Sequence, residues 1–260
     1  MLGAIVGDIL GSYYEFHKIK SKEFDLFHPE SKFTDDTVLT CAIANSILNG
    51  ISYKDSVSDF GLRYFEVGYG SSFKKWLKSD NKEPYNSWGN GSAMRVSPVA
   101  WAYDNEEKVL QEARKTAKIT HNHPEGIKGA QATALAIFMA RNGASKEAIK
   151  KRISKDYQYD LNRKVDEIRP TYKFEISCQK SVPESIICFL ESTSFEDCIR
   201  NCISLGGDAD TISAIAGSIA EAYYGIPENI EKQICRYLSK ELMQIVEEFR
   251  TKFTKSIHLA

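Results

Sequence analysis

Leu205-Gly206-Gly207-Asp208-Ala209-Asp210-Thr211-Ile212-Ser213-Ala214 is the stretch on which the reading of this 260-residue chain turns. Two aspartates one residue apart and a threonine stand directly before a run, Ile212 to Tyr224, that is apolar or small on nearly every side. A helix without a polar face belongs at the centre of a protein. Thr34-Asp35-Asp36-Thr37 has the same form, leading into the apolar segment Val38 to Leu48. Asp and Thr are common helix N-caps, because a side-chain oxygen satisfies N–H groups that the first turn leaves unpaired. A cap needs one acceptor, however, and these stretches hold four aspartates and three threonines. Like charges crowded at the starts of buried helices cost stability unless a cation neutralises them. Carboxylate and hydroxyl oxygens are the ligands that hard cations such as Mg²⁺ or Mn²⁺ prefer, so the two stretches together read as a site for two ions.

Outward from these stretches the period stays helical. Gly3, Gly7 and Gly11 recur every fourth residue and form one smooth stripe where another helix can approach, on a segment that also carries Asp8 and ends in Glu15-Phe16. Lys18 to Lys32 is polar and aperiodic, a surface loop that could serve as a lid. Gly89-Asn90-Gly91-Ser92 is a glycine-rich turn before a short helix that includes Met94; such a turn can receive a phosphate on its N–H groups, or be an ordinary turn. His121 and His123 lie one residue apart, but nothing nearby completes a Zn²⁺ site, which leaves substrate contact or capping. Asp156 to Lys180 has no clear period, and Tyr172 to Ile176 is the one plausible strand. Roughly ten helical segments with no βαβ rhythm give an all-α class, and residues 1–260 fit one domain.

Composition narrows the function. Lys and Arg number 34 against 35 Asp and Glu, so the electrostatic drive of a nucleic-acid binder is missing. The start, Met1-Leu2-Gly3-Ala4-Ile5-Val6, has no basic region and is broken by Asp8, which fits neither a signal peptide nor a membrane span and suggests a soluble, cytoplasmic protein without membrane partners. Six cysteines without C-x-x-C spacing read as reduced thiols.

Five motifs in order, G-D-I-L-G-S-Y-Y-E-F from Gly7, T-D-D-T from Thr34, G-N-G-S-A-M-R from Gly89, H-P-E-G from His123 and G-G-D-A-D-T from Gly206, resemble the ADP-ribosylglycohydrolase family over nearly the whole chain. The resemblance, to a family that includes the dinitrogenase reductase-activating members, implies a compact orthogonal helical domain with a binuclear Mg²⁺ or Mn²⁺ centre beneath an ADP-ribose cleft. It implies Thr34, Asp35, Asp36, Asp208, Asp210 and Thr211 as metal ligands and Glu15 as the glutamate beside the reacting ribose. It places Gly89, Asn90, Gly91, Ser92, Met94 and His123 along the ADP-ribose site. The expected reaction is hydrolysis at the anomeric carbon of ADP-ribose, through an oxocarbenium-like state that needs an oriented ribose and a nearby water. Asp36 or Asp210 would deprotonate that water, and Glu15 would orient the ribose, assist proton transfer, or act as a gate.

ADP-ribosyl-arginine protein is the first expectation for substrate; ADP-ribosyl-serine, O-acetyl-ADP-ribose or a modified nucleic-acid base are alternatives. A tyrosine from Tyr157 to Tyr172 is expected to stack on adenine. Two rivals stand beside this reading. Haloacid-dehalogenase-like phosphatases also use D-x-D-T, but at the end of an early β-strand in an α/β fold. Some members of the resembled family serve as lens crystallins or lack the ligands, which would make this chain a non-catalytic ADP-ribose-binding protein, whereas it keeps all six candidate ligands and Glu15. Nothing in the sequence speaks for an oligomer, and a monomer is expected.

Overall fold

The glycine stripe at the start of the chain is what lets the molecule assemble. The computed structural model describes residues 1–254; the last residues of the domain expected over 1–260 lie outside them. In chain order its helices are α1 (Leu2–Phe16), α2 (Asp35–Asn49), α3 (Tyr53–Arg63), α4 (Ser71–Lys78), α5 (Gly91–Met94), α6 (Ser97–Ala102), α7 (Glu106–Lys118), α8 (Pro124–Arg141), α9 (Lys146–Tyr157), α10 (Val165–Ile168), α11 (Cys178–Leu190), α12 (Phe195–Ser204), α13 (Ala209–Tyr224), α14 (Glu228–Ile234) and α15 (Lys240–Phe253).

α1 and α13 run antiparallel with their backbones in contact. A Cβ added at Gly3 would lie 2.2 Å from the Gly217 carbonyl oxygen, at Gly7 2.0 Å from that of Ser213, and at Gly11 2.4 Å from that of Ala209. Steps of four along one helix are matched by steps of four back along the other, as ridges of like spacing require. α2, α11 and α12 pack around this pair, and α8 packs against α13 and α11. α1, α2, α8 and α13 are apolar or small on nearly every face, so they form the centre of one hydrophobic core.

The all-α expectation holds for the described residues: they contain helices and a single isolated bridge, in which Asn90 N donates to Ile176 O (2.8 Å) and Cys178 N to Trp88 O (2.9 Å). Tyr172 to Ile176 is therefore not the strand that its composition suggested; its neighbour Ser177 pairs briefly with the glycine turn and no further. Nor is Lys18 to Lys32 free to act as a lid. Tyr14 Oη donates to Asp25 O (2.6 Å), Arg200 donates to Lys22 O and Phe24 O, Lys22 pairs with Asp197, and Lys32 N donates to Ser12 Oγ (3.0 Å), so the loop is tied along its length. Among the described residues no helix is long and apolar enough to cross a membrane.

The helix contact makes a direct expectation about stability. Gly7→Ala forces a methyl into the Ser213 carbonyl and should cost about 3 kcal/mol or more, whereas Gly70→Ala, where a Cβ meets nothing within 4 Å and only the N-cap of α4 is changed, should cost about 1 kcal/mol. Urea unfolding of the two variants measures the difference.

Candidate functional site

Asp8, in the middle of α1, is fully buried and fully used as an acceptor. It receives Thr34 N at 2.9 Å, Thr34 Oγ1 at 2.6 Å, Thr37 N at 3.0 Å and the Thr37 hydroxyl, so it clamps the first turn of α2 to α1. Thr34 is the N-cap of α2. Because its hydroxyl proton goes to Asp8, only oxygen lone pairs are left to face anything else.

α13 begins differently. Asp208 stands at its N-cap position yet makes no capping bond; its carboxylate instead accepts from Asn90 Nδ2 at 2.7 Å. The simple capping explanation fails for this residue. Asp210 Oδ1 accepts from Thr211 N (2.8 Å), and Thr211 Oγ1 donates across to Asp36 Oδ2 (3.2 Å), which joins the two aspartate stretches.

The carboxylates converge. Oxygens of Asp8, Asp36 and Asp210 lie within 4.8 Å of one another, and so do oxygens of Glu15, Asp208 and Asp210. None of Asp8, Glu15, Asp35, Asp36, Asp208 or Asp210 makes a salt bridge among the described residues. Burial, followed by the Asp210 charge, pushes Asp8 up to about 7 and Glu15 and Asp35 each up to about 8. The same two causes hold Asp36 and Asp208 well above the usual carboxylate range. Asp36 Oδ1 is buried with no hydrogen-bond partner. An all-oxygen set with an unpartnered buried carboxylate oxygen, and a threonine whose proton is already committed, fits a hard divalent cation.

These residues line a cavity of about 550 Å³. Thr34, Asp35, Asp36, Asp208, Asp210, Thr211 and Glu15 all face it, as do Gly89, Asn90, Gly91 and Met94. Two residues expected there are placed elsewhere. The Ser92 hydroxyl is buried and donates to Gly126 O (2.7 Å). His123 is the N-cap of α8, accepting Glu125 N on Nδ1 (3.1 Å), so its ring is held outside the cavity. His121 takes the inner position: a Cβ on Gly91 would lie 3.2 Å from its Nε2. The tyrosines Tyr157, Tyr159 and Tyr172 do not line this cavity; its aromatic side chains are Phe16, Phe73, Tyr85, Phe174 and His121.

Sequence reading passed over Asp8 and Arg95 as site residues and left His121 between substrate contact and capping. Asp8 carried a signal, being the one charge in an otherwise apolar and glycine-striped helix before Glu15. Arg95 had none beyond its place after Met94; it is fully buried behind the glycine turn and also borders the cavity.

A family model described as ADP-ribosylglycohydrolase matches residues 1–257. The chain belongs to the ADP-ribosylglycohydrolase family. Human ADP-ribosylhydrolase ARH3 is 29% identical, with 94% of this chain and 90% of that protein covered. The ADP-ribosyl-[dinitrogen reductase] glycohydrolase of Rhodospirillum rubrum is 27% identical over 100% of this chain and 94% of its own. A solved structure of an ADP-ribosylglycohydrolase-related protein complex superposes with a TM-score of 0.71 at 25% identity, covering 96% of this chain and 95% of that one. The resemblance drawn from the five motifs thus extends to family membership, and the all-helical fold to that of a solved relative.

The two kinds of aspartate should part company when changed. Asp8→Ala strands two buried amides and two hydroxyls and should destabilise the protein by about 2–4 kcal/mol with or without divalent cation. Asp36→Asn removes a charge that has an unpartnered oxygen, so in chelator it should leave stability unchanged or raise it by about 1 kcal/mol. Denaturant melts of both variants in EDTA decide the point.

Proposed function

We propose that this chain is a divalent-cation-dependent hydrolase that cleaves the bond at the anomeric carbon of ADP-ribose in ADP-ribosylated substrates, with arginine-linked protein as the foremost candidate. The observation that carries this reading is the convergence of unpaired carboxylates from α1, α2 and α13 on one cavity whose volume lies in the range of small-molecule sites. Family membership and the similarity to ARH3 and to the dinitrogen reductase glycohydrolase support ADP-ribose as the ligand. For the leaving group, support comes from a relative described as the ADP-ribosylarginine hydrolase Tri1 of Pseudomonas putida, 24% identical over 89% of this chain and 72% of its own length.

In this reading Thr34, Asp35, Asp36, Asp208, Asp210 and Thr211 hold two Mg²⁺ or Mn²⁺ ions. Bound there, the ions would supply the positive charge that the cluster lacks, orient the ribose hydroxyls and acidify a water. Asp36 or Asp210, both buried at the cluster and lining the cavity, takes the proton from the attacking water. Asn90 fixes Asp208 from the opposite wall. Glu15, half-buried at the edge of the cluster, orients the ribose or assists proton transfer to the departing atom as the bond at the anomeric carbon breaks.

The diphosphate lies at the glycine turn. Gly89 N already donates to Ser87 Oγ and Asn90 N to Ile176 O, which leaves the amide of Gly91 for the ligand, with the His121 ring beside it. Tyr85 or Phe174 then takes the place expected of a more distant tyrosine as the adenine's stacking partner. Phe16, 76% exposed, with Phe174 and Ile176 forms an apolar rim that meets whatever carries the modification. Residues 1–260 acting as one domain, as a cytoplasmic monomer with reduced thiols, complete the proposal.

Two measurements test it. Asp35→Ala and Asp210→Ala should each lose divalent-ion binding and slow release of free ADP-ribose by about 10³-fold or more, with helical circular dichroism retained. An active Asp210→Ala protein without bound cation would defeat the mechanism, and a panel of arginine-, serine- and acetyl-linked conjugates identifies the leaving group. Stability should also follow pH in a defined direction. The raised carboxyls, at about 7 and about 8 when folded and about 4 when unfolded, make the folded cation-free chain the better proton binder between those limits. Its melting temperature in chelator should therefore fall as pH rises through about 5 to about 8, while the increment given by Mg²⁺ should grow as ions replace protons. Thermal melts in EDTA and in Mg²⁺ across that window show whether the two trends oppose each other.

A further inference from the structure

Lys20, on the loop that follows α1 and Glu15, is exposed as a residue, yet its ammonium is spent on main-chain carbonyls from two remote segments. It donates to Arg169 O at 2.8 Å, to Tyr172 O at 2.6 Å and to Leu205 O. We infer that Lys20 is a positioning residue for the cation site: its three N–H bonds clasp the Gly206-Gly207 turn that leads into Asp208, and so hold that carboxylate beside Asp210 and Glu15. The inference rests on the reading of the acidic cluster as a cation site.

An ammonium has three protons and no acceptor, so three carbonyls saturate it. Arg169 closes α10 and Leu205 closes α12, positions where carbonyls lack partners within the helix and favour a cation. Capping alone does not explain the third contact, because Tyr172 lies beyond α10 and belongs to no helix. Among the described residues no other donor reaches any of the three oxygens. The turn is also gripped from both sides. Gly206 has a φ of +64°, and a Cβ there would lie 2.7 Å from Ile19 O and 3.1 Å from Lys20 Cε, while a Cβ on Gly207 would lie 2.4 Å from the Tyr172 ring. The Lys20 stem thus lies against the turn, and its ammonium ties Leu205, just before the turn, to Tyr172 on the other side. Asp208 depends on such support, since it makes no capping bond to α13 and stands within 4.8 Å of two other acids that repel it. A planar guanidinium, with donors that diverge, does not replace a point charge on which three oxygens converge. Lys22 provides the contrast, because it anchors the same loop through Asp197, at the opposite end of α12 from the turn.

The first readout needs no cation. In chelator, Lys20→Met should speed hydrogen exchange of the Gly206 and Ile212 amides, which donate to Ile203 O and Asp208 O, by about tenfold, and leave the Val109 amide of α7 unchanged. Mn²⁺ affinity of the folded variant, measured by calorimetry on the full chain, should fall about tenfold, as the loss of charge-assisted hydrogen bonds that place a ligand allows. Lys20→Arg should not restore it. Lys20→Cys alkylated with 2-bromoethylamine, which rebuilds an ammonium at the length of lysine, should restore it; wild-type protein treated in the same way controls for Cys235, the cysteine that is not buried. Lys22→Met should leave Mn²⁺ affinity as it is. A Lys20→Met protein with wild-type exchange at Gly206 and Ile212, or one that loses no more Mn²⁺ affinity than Lys22→Met, overturns the clasp. A wild-type protein that takes up no Mn²⁺, while Lys20→Met still loosens the turn, upholds the clasp and instead removes the cation assigned to the cluster.

Discussion

The approach of α1 to α13 is the constraint from which the rest of the structure follows. Carbonyl oxygens of Ala209, Ser213 and Gly217 occupy the space in which side chains of residues 11, 7 and 3 would otherwise stand. Glycine costs helix stability by about 1 kcal/mol per residue relative to alanine, and three of them in one helix are tolerated because backbone-to-backbone packing returns dispersion contact along the whole interface. The same approach fixes the site. With Gly11 against Ala209 and Asp210, the next residues that point away from the stripe are Asp8, aimed at the start of α2, and Glu15, aimed at the start of α13. Three remote parts of the chain thus meet at a separation that side-chain packing alone would not hold.

Within that meeting place the carboxylates divide by how well they are satisfied. Asp8 accepts four hydrogen bonds and behaves as a structural joint, while Asp208 is steadied by Asn90. Asp36 has one oxygen with no partner, and Asp35 faces the cavity beside Gly68, where a Cβ would come within 3.3 Å of its Oδ1. The satisfied acids hold the helices in place, while the unsatisfied ones line the cavity. Arg95, Thr120 and His121 repeat the pattern on the opposite wall, with buried contacts behind and a ring edge in front.

Much of this was legible in the sequence because long buried helices announce themselves. α2 and α13 lack a polar face, the stripe of α1 has a plain period, and the aspartate stretches exceed what capping needs. Short elements were less legible: the short helix expected at Met94 is α5, but α10 is four residues long, too few to establish a period, and α4 was not assigned to any element. Tyr172 to Ile176 has strand-like composition, yet a strand exists only through a partner, and here the one pairing is a single bridge at Ser177. His123 could have been set aside from the sequence, because Pro124 at the first helical position makes the preceding residue the N-cap. That leaves His121 as the histidine with a free choice of direction, but its burial behind glycines depends on tertiary contacts that no local pattern records.

Helix termini complete the account of the acidic cluster, and also show why they are insufficient. α2 and α13 both begin at it, so the positive ends of their dipoles face the carboxylates, while α1 ends there with the opposite sign beside Glu15. Each favourable terminus contributes about 0.3–1 kcal/mol. Two carboxylates no more than 4.8 Å apart repel by about 3 kcal/mol at an effective dielectric constant of about 20, and Asp210 belongs to two such groups at once. The dipoles therefore fall short of the repulsion several-fold, and no lysine or arginine forms a salt bridge to make up the difference among the described residues. The fold places more negative charge here than its own atoms can balance, so the cluster must take up either protons or cations, and the pH at which one gives way to the other is set by how closely glycine allows α1 and α13 to approach.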